Sequence, residues 1–244
     1  MTYCLGILLP TGLVFASDSR SNAGVDQIAM VRKMQVMSRS AERFVTVLSA
    51  GNLATTQWVT TTLREAAGSG DAVRDIDTAR TMLDIAKIVG DLLRTVVDRD
   101  SKYVGAYGDP AGSFIVGGQI AGEPPRLFQI YAAGNFIEAS DRSRFLQIGE
   151  TKYGKPILDR GLSANTTLDE AAKLALLSFD ATIRSNLSVA PPIDLLRYAE
   201  GSFSGEDRAT FDETSPYWQL LRRDYGEGLS RLVAELPPPP SQLP

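Results

Sequence analysis

The sequence contains no histidine. That absence excludes Ser-His-Asp and Cys-His catalysis, both of which need an imidazole as base. It also excludes His-ligated zinc. The single cysteine, Cys4, excludes cysteine-rich zinc sites and any disulfide within the chain. Positive charge is not in excess: 25 Lys and Arg stand against 29 Asp and Glu, a net charge of −4. Nothing in that balance argues for a nucleic-acid partner. No apolar run approaches the ~20 residues that a membrane-spanning helix needs. Residues 5–9 are apolar, but Pro10 ends them, and no basic segment precedes them as in a secretory signal. We therefore expect a cytoplasmic chain with no metal, no cofactor, no nucleic-acid partner and no membrane partner. Any catalytic base has to be a carboxylate, a lysine, a tyrosine or an amine.

What is present is ordinary globular composition, 43% hydrophobic and 22% charged over 244 residues. That length carries a substantial core. No internal repeat and no linker is visible, so we expect one domain over residues 1–236 and a proline-rich tail over 237–244. The opening stretch is Met1-Thr2-Tyr3-Cys4-Leu5-Gly6. If Met1 is removed, Thr2 carries both a hydroxyl nucleophile and a free α-amine. A hydroxyl is a weak nucleophile that needs an adjacent base, and the amine of an N-terminal threonine is one such base. It titrates near ~7.7–8.0, so it is able to take a proton at working pH. Cys4 reads as a small core residue rather than a reactive thiol.

Period-2 alternation and β-branched runs predict strands over residues 3–9, 13–17, 33–37 and 44–49. The Pro10-Thr11-Gly12 turn makes the first two a hairpin. Helices are expected over 53–67 and 76–97, the latter with an apolar stripe at i, i+3, i+4, i+7 that reads as core. Strands follow at 114–120, 127–131 and 136–139, then a short helix at 152–158. Thr167 and Glu170 form a capping box ahead of a helix over 168–184. A strand at 193–198, another within 201–210 and a helix over 218–236 complete the order. The Ser21-Asn22-Ala23-Gly24 stretch reads as a polar connection. No βαβ alternation appears, so a parallel doubly wound sheet is disfavoured. The pattern is α+β: two antiparallel sheets packed together and covered by helices.

Four residues with chemical potential follow Thr2. Asp18 ends the second strand, beside Arg20. Lys33 begins the third. Gly51 stands between the fourth strand and a helix. A lysine ammonium near Thr2 lowers the pKa of hydroxyl and amine by like-charge repulsion. Asp18 keeps such a lysine charged and placed. A glycine at a strand-to-helix junction offers its N–H to a developing oxyanion near the positive end of a helix. Each residue alone also suits a surface turn, a strand edge or a tight backbone.

Taken together, residues 12–20, Arg32-Lys33-Met34, Ala50-Gly51-Asn52, residues 147–156 and Pro191-Pro192-Ile193-Asp194-Leu195 resemble a proteasome β-type subunit. Within the N-terminal-nucleophile hydrolases they resemble most narrowly the bacterial Anbu (ancestral β-subunit) branch. The resemblance covers about residues 1–200. It implies an αββα four-layer sandwich and a homo-oligomeric ring or ring-like assembly acting on peptides or unfolded chains. It implies Thr2 as nucleophile, with Asp18, Lys33, Arg20 and Gly51 as its aspartate, lysine, neighbouring arginine and oxyanion glycine. A specificity pocket over Ser21, Val31, Gln35 and Ser49 is implied as well. Two departures stand out. The family's Gly-Ser-Gly turn reads Ile148-Gly149-Glu150-Thr151 here. Its Asp-x-x-Ser pair reads Ser185-Asn186-Leu187-Ser188, so Ser188 matches the serine and Ser185 replaces the aspartate. Three functions stay open: a threonine peptidase, a self-assembling scaffold of low activity, and a small-molecule amidase. No docking motif for an ATPase partner is legible.

Overall fold

The computed structural model describes residues 2–22 and 28–240. Met1, residues 23–27 and the tail end 241–244 lie outside the described residues, and with them the fate of Met1 and the second half of the 21–24 stretch. β1 (Tyr3–Leu9) and β2 (Gly12–Asp18) form the expected hairpin, with Leu9 paired to Gly12. Gly12 has φ 143°, and a Cβ there would lie 1.9 Å from the Tyr198 carbonyl oxygen, so only glycine fits. β1 is flanked by β10 (Phe145–Gly149), and β2 by β11 (Ile193–Ala199) and then β12 (Arg208–Phe211). The sheet order is β10-β1-β2-β11-β12, and every pairing is antiparallel. The second sheet runs in chain order: β5 (Met34–Ser40), β6 (Arg43–Gly51), β7 (Gly112–Ile120), β8 (Arg126–Ile130) and β9 (Phe136–Glu138). A short ribbon, β3 (Arg20–Asn22) with β4 (Ile28–Met30), joins the two sheets.

Helices cover both outer faces. α1 (Leu53–Ala66) and α2 (Met82–Val104) pack on the second sheet through Val45, Val47, Val59, Leu63, Val89 and Val116. α3 (Lys155–Gly161), α4 (Leu168–Ser185) and α5 (Pro216–Glu235) cover the first. Tyr3, Leu5, Ile7, Val14, Ala16, Phe179 and Trp218 fill that layer. A third cluster lies between the sheets: Cys4, Phe15, Phe44, Leu48, Ile115, Leu127 and Tyr198. The strands that face two apolar layers therefore read as near-continuous hydrophobic runs. In β1 and β6 alternate residues go to opposite clusters, as the period of two requires. The sheets approach closely because Gly117 has no side chain; a Cβ there would sit 2.6 Å from the Phe15 ring. This is the expected four-layer αββα arrangement.

The boundaries differ in several places. The second helix starts at Met82 rather than 76 and runs on to Val104. Thr81 caps it, accepting from the Asp84 N–H at 3.1 Å, while Asp75 accepts the Gly70 and Asp77 N–H groups at 2.9 Å each and holds the preceding segment in turns. Ile76 and Ala79 are buried there all the same, so the apolar spacing outruns the helix. The short helix begins at Lys155 with Pro156 in its first turn, not at 152. The β3–β4 ribbon and the full length of β10 were not expected, because neither carries a strong local pattern. The capping box on α4 is present, with Glu170 N–H to Thr167 Oγ1 at 3.2 Å and Thr167 N–H to Glu170 Oε2 at 2.8 Å.

Candidate active site

The hairpin sets the site. β1 begins at Tyr3 and β2 ends at Asp18, so the strand pairing that buries Leu5 and Phe15 also brings these two residues side by side. Asp18 is fully buried and accepts the Tyr3 N–H at 3.0 Å. Lys33 lies just before β5 and is 5% exposed. Its Nζ donates to both Asp18 oxygens at 2.8 Å and also to the Arg20 carbonyl. Burial pushes the Asp18 carboxyl up, against the opposing pull of the Lys33 ammonium and the Tyr3 N–H. The buried Lys33–Asp18 pair is thus tied to the N–H of Tyr3, the residue that follows the half-buried Thr2.

Thr2 is anchored from its other side. Its carbonyl accepts the Glu150 N–H at 2.7 Å. Gly149, φ 83°, allows that approach; a Cβ there would lie 1.9 Å from the Thr2 oxygen. Glu150 is itself buried, and its carboxylate accepts Asn186 Nδ2 at 2.8 Å. Asn186 Oδ1 then accepts the Ser188 N–H at 2.9 Å. Ser188 therefore connects to Thr2 through Asn186 and Glu150. Ser185 ends α4 and is exposed. Sequence reasoning noticed the altered stretches 148–151 and 184–188 but missed that Glu150 and Asn186 answer each other. Two departures from the family pattern in one sequence were the only signal.

Gly51 closes β6 with φ 107°, and a Cβ there would lie 2.6 Å from the Ala111 carbonyl oxygen. Asn52 caps α1, accepting the Thr55 N–H at 3.2 Å, so Gly51 stands at the positive end of that helix. The end of β6 is tied to the site: Ser49 N–H donates to the Lys33 carbonyl at 3.1 Å, and Cys4 Sγ donates to the Ser49 carbonyl at 3.5 Å. Ser21 lies in β3, and Val31 and Gln35 line a cleft beside Lys33. Other protic groups nearby are not bases. Tyr3 bonds to Ser178 and Gln147, and burial pushes its phenol up to about 12. Burial also pushes the Cys4 thiol up, which leaves it inert. Among the described residues, no group of three or more His, Cys, Asp or Glu side chains could hold a metal ion. Among them, no helix is long and apolar enough to cross a membrane.

No family model and no curated protein matches the chain. Solved structures do. Anbu (ancestral beta-subunit) from Yersinia bercovieri is 44% identical, over 98% of this chain and 100% of that one, with a TM-score of 0.92. The helical assembly of the Anbu complex from Pseudomonas aeruginosa is 45% identical, over 98% and 99%, with a TM-score of 0.93. An Anbu (Gly-1) mutant from Hyphomicrobium sp. strain MC1 is 44% identical, over 98% and 100%, with a TM-score of 0.90.

Proposed function

The chain belongs to the Anbu (ancestral β-subunit) family, and from that premise we propose that it is a self-assembling threonine hydrolase acting on peptides. After removal of Met1, Thr2 Oγ attacks the scissile carbonyl and its proton passes to the Thr2 α-amine. The Lys33 ammonium, held by Asp18, favours the deprotonated hydroxyl and keeps the amine neutral by like-charge repulsion. The Gly51 N–H and the N-terminus of α1 receive the oxyanion. The amine returns its proton to the leaving nitrogen, and the peptide's acyl half stays on Thr2 as an ester. Water then attacks that ester, with the amine again as base, and Thr2 is restored. The observation that carries this reading is the Lys33 ammonium, buried against both oxygens of Asp18, which also accepts the N–H of Tyr3, the residue after Thr2. The test is hydrolysis of peptide and small-amide libraries. We expect peptides to be cleaved and Thr2→Ala to lose at least about a thousandfold in kcat/KM. Full activity in Thr2→Ala would sink the reading.

One observation favours a weaker catalyst serving mainly as a scaffold: Glu150 lies in the stretch that answers to the family's Gly-Ser-Gly turn, Ser185 stands at the position of its aspartate, and Glu150 bonds instead to Asn186. Covalent labelling of Thr2 by a peptide electrophile counts against that alternative. For assembly, the support is the outer face of α5. Leu229, Leu232, Val233 and Leu236 are 50–63% exposed and recur at helical spacing. A relative forms a helical assembly, and we assign this face to contact between copies. Leu232→Glu with Val233→Glu should give a lighter species by light scattering; an unchanged mass would remove α5 from the interface.

A further inference from the structure

A cleft of about 880 Å³ opens between β5 and α1. Gln57, Thr60, Thr61 and Arg64 form its α1 wall, at i, i+3, i+4 and i+7 on one helix face. Arg32 and Met34, the sequence neighbours of the lysine that holds Asp18, both line the cleft. Among the described residues, its charged lining is four arginines, Arg32, Arg39, Arg64 and Arg208, with no carboxylate. They come from four separate places in the chain and converge on one space. Among the described residues, Arg39 alone of the four has an ion-pair partner, Glu206 at 3.3 Å, and that pair is exposed. Arg64 donates to Gln35 Oε1, and both side chains line the cleft. Arg208 donates to the Gly205 carbonyl. Burial, and then the charges of Arg32 and Arg39, pull the Arg208 guanidinium down, with Asp194 opposing. Like charges gathered with only partial neutralisation are electrostatically unfavourable, and an anion entering among them relieves that cost.

We propose that this cleft receives a carboxylate side chain of the peptide substrate, next to the scissile bond. The inference rests on the hydrolase reading above and names its substrate class. Guanidinium forks match carboxylates in a bidentate manner. Met34, Val31 and Val36 supply apolar surface for the methylenes of a glutamate. A nucleic acid fits less well: among the described residues no aromatic side chain lines the cleft for base stacking, and the chain as a whole carries a net charge of −4.

Two assays on the full-length protein separate this inference from the hydrolase reading. The first measures binding to Thr2→Ala, by fluorescence anisotropy, of one labelled peptide carrying Glu, Gln, Leu or Lys beside the scissile bond. The Glu peptide should bind at least about tenfold tighter than its Gln isostere, as a charge-assisted hydrogen bond allows. The margin should shrink with added salt, because the cleft is open to solvent. The second measures kcat/KM of the unmodified protein on the same peptides. Arg64 is exposed on α1, so Arg64→Gln should fold and narrow the Glu preference, and Arg64→Glu should reverse it towards Lys. Arg208→Gln provides a second narrowing from β12. Binding of Glu with no hydrolysis would uphold the acidic site and remove the hydrolase reading. Hydrolysis with Glu and Gln equal within about twofold would remove the acidic site and leave the hydrolase. An oligonucleotide that displaces the Glu peptide would also overturn it.

Discussion

Two buried aspartates divide the molecule between them. Asp18 lies at the end of β2, and Asp180 lies on α4, 0% and 1% exposed. Asp180 is clasped by Arg184 Nε at 3.0 Å and by Arg222 Nε at 2.7 Å. Arg222 reaches across from α5 and also lies over the Trp218 ring at 5.4 Å. Both arginines keep contact with water, so the clasp costs little desolvation and fastens one helix to another. Asp18 faces instead a single lysine that is itself buried. Two charges removed from water together recover their desolvation only with excellent geometry. The upward push on Asp18 shows that here burial wins. A carboxyl with a raised native pKa favours folding most below its unfolded pKa, and that contribution is lost as the pH rises through the native value. The Asp18–Lys33 pair is therefore a poor stabiliser at neutral pH, and its placement beside Thr2 explains its presence better than stability does.

The largest effect should come from breaking the Asp18 side. Lys33→Met leaves Asp18 buried without its cation and should cost about 3–5 kcal/mol in denaturant melts, together with all measurable hydrolysis. The double variant Asp18→Leu with Lys33→Met should regain much of that stability and remain inactive. Recovery of activity in the double variant would remove the pair from the chemistry. On the other side, Asp180→Ala should cost about 2 kcal/mol, since two charge-assisted bonds go but both arginines return to water. Its kcat/KM should stay unchanged; a large loss would erase the contrast between the two aspartates.

A smaller effect tests how Thr2 is anchored. Glu150→Ala removes the acceptor for Asn186 and should lower kcat about tenfold with KM little altered. Glu150→Gln, whose side chain keeps an oxygen for Asn186, should retain most of the rate. The smallest effect is on pH dependence. Protonating Asp18 frees Lys33, so kcat/KM should fall on acidification, with a midpoint above the ordinary aspartate value of about 3.9. A limb at or below that value would contradict the burial effect at Asp18.

Much of the fold was legible because its signals are local. The Pro10-Thr11-Gly12 turn, the apolar runs of β1, β2 and β6, and the Thr167–Glu170 capping box each lie within a few residues. The start of α2 was not, since buried Ile76 and Ala79 mimic helical spacing while Asp75 holds the chain in turns. At the site, Thr2, Asp18, Lys33 and Gly51 could be singled out because each sits at a strand end. The Glu150–Asn186 bond could not, because its partners are 36 residues apart and neither is unusual alone. The arginine cleft is likewise invisible in sequence, since Arg32, Arg39, Arg64 and Arg208 meet only through the packing of β5, α1 and β12.

The most direct measurement is the intact mass of the protein, purified from its own cell and treated with a peptide electrophile that captures hydroxyl and amine together. We expect a chain lacking Met1 that gains one adduct per subunit, and no adduct on Thr2→Ala. A chain that keeps Met1 in full and gains nothing would contradict the assignment of Thr2 as nucleophile and its amine as base.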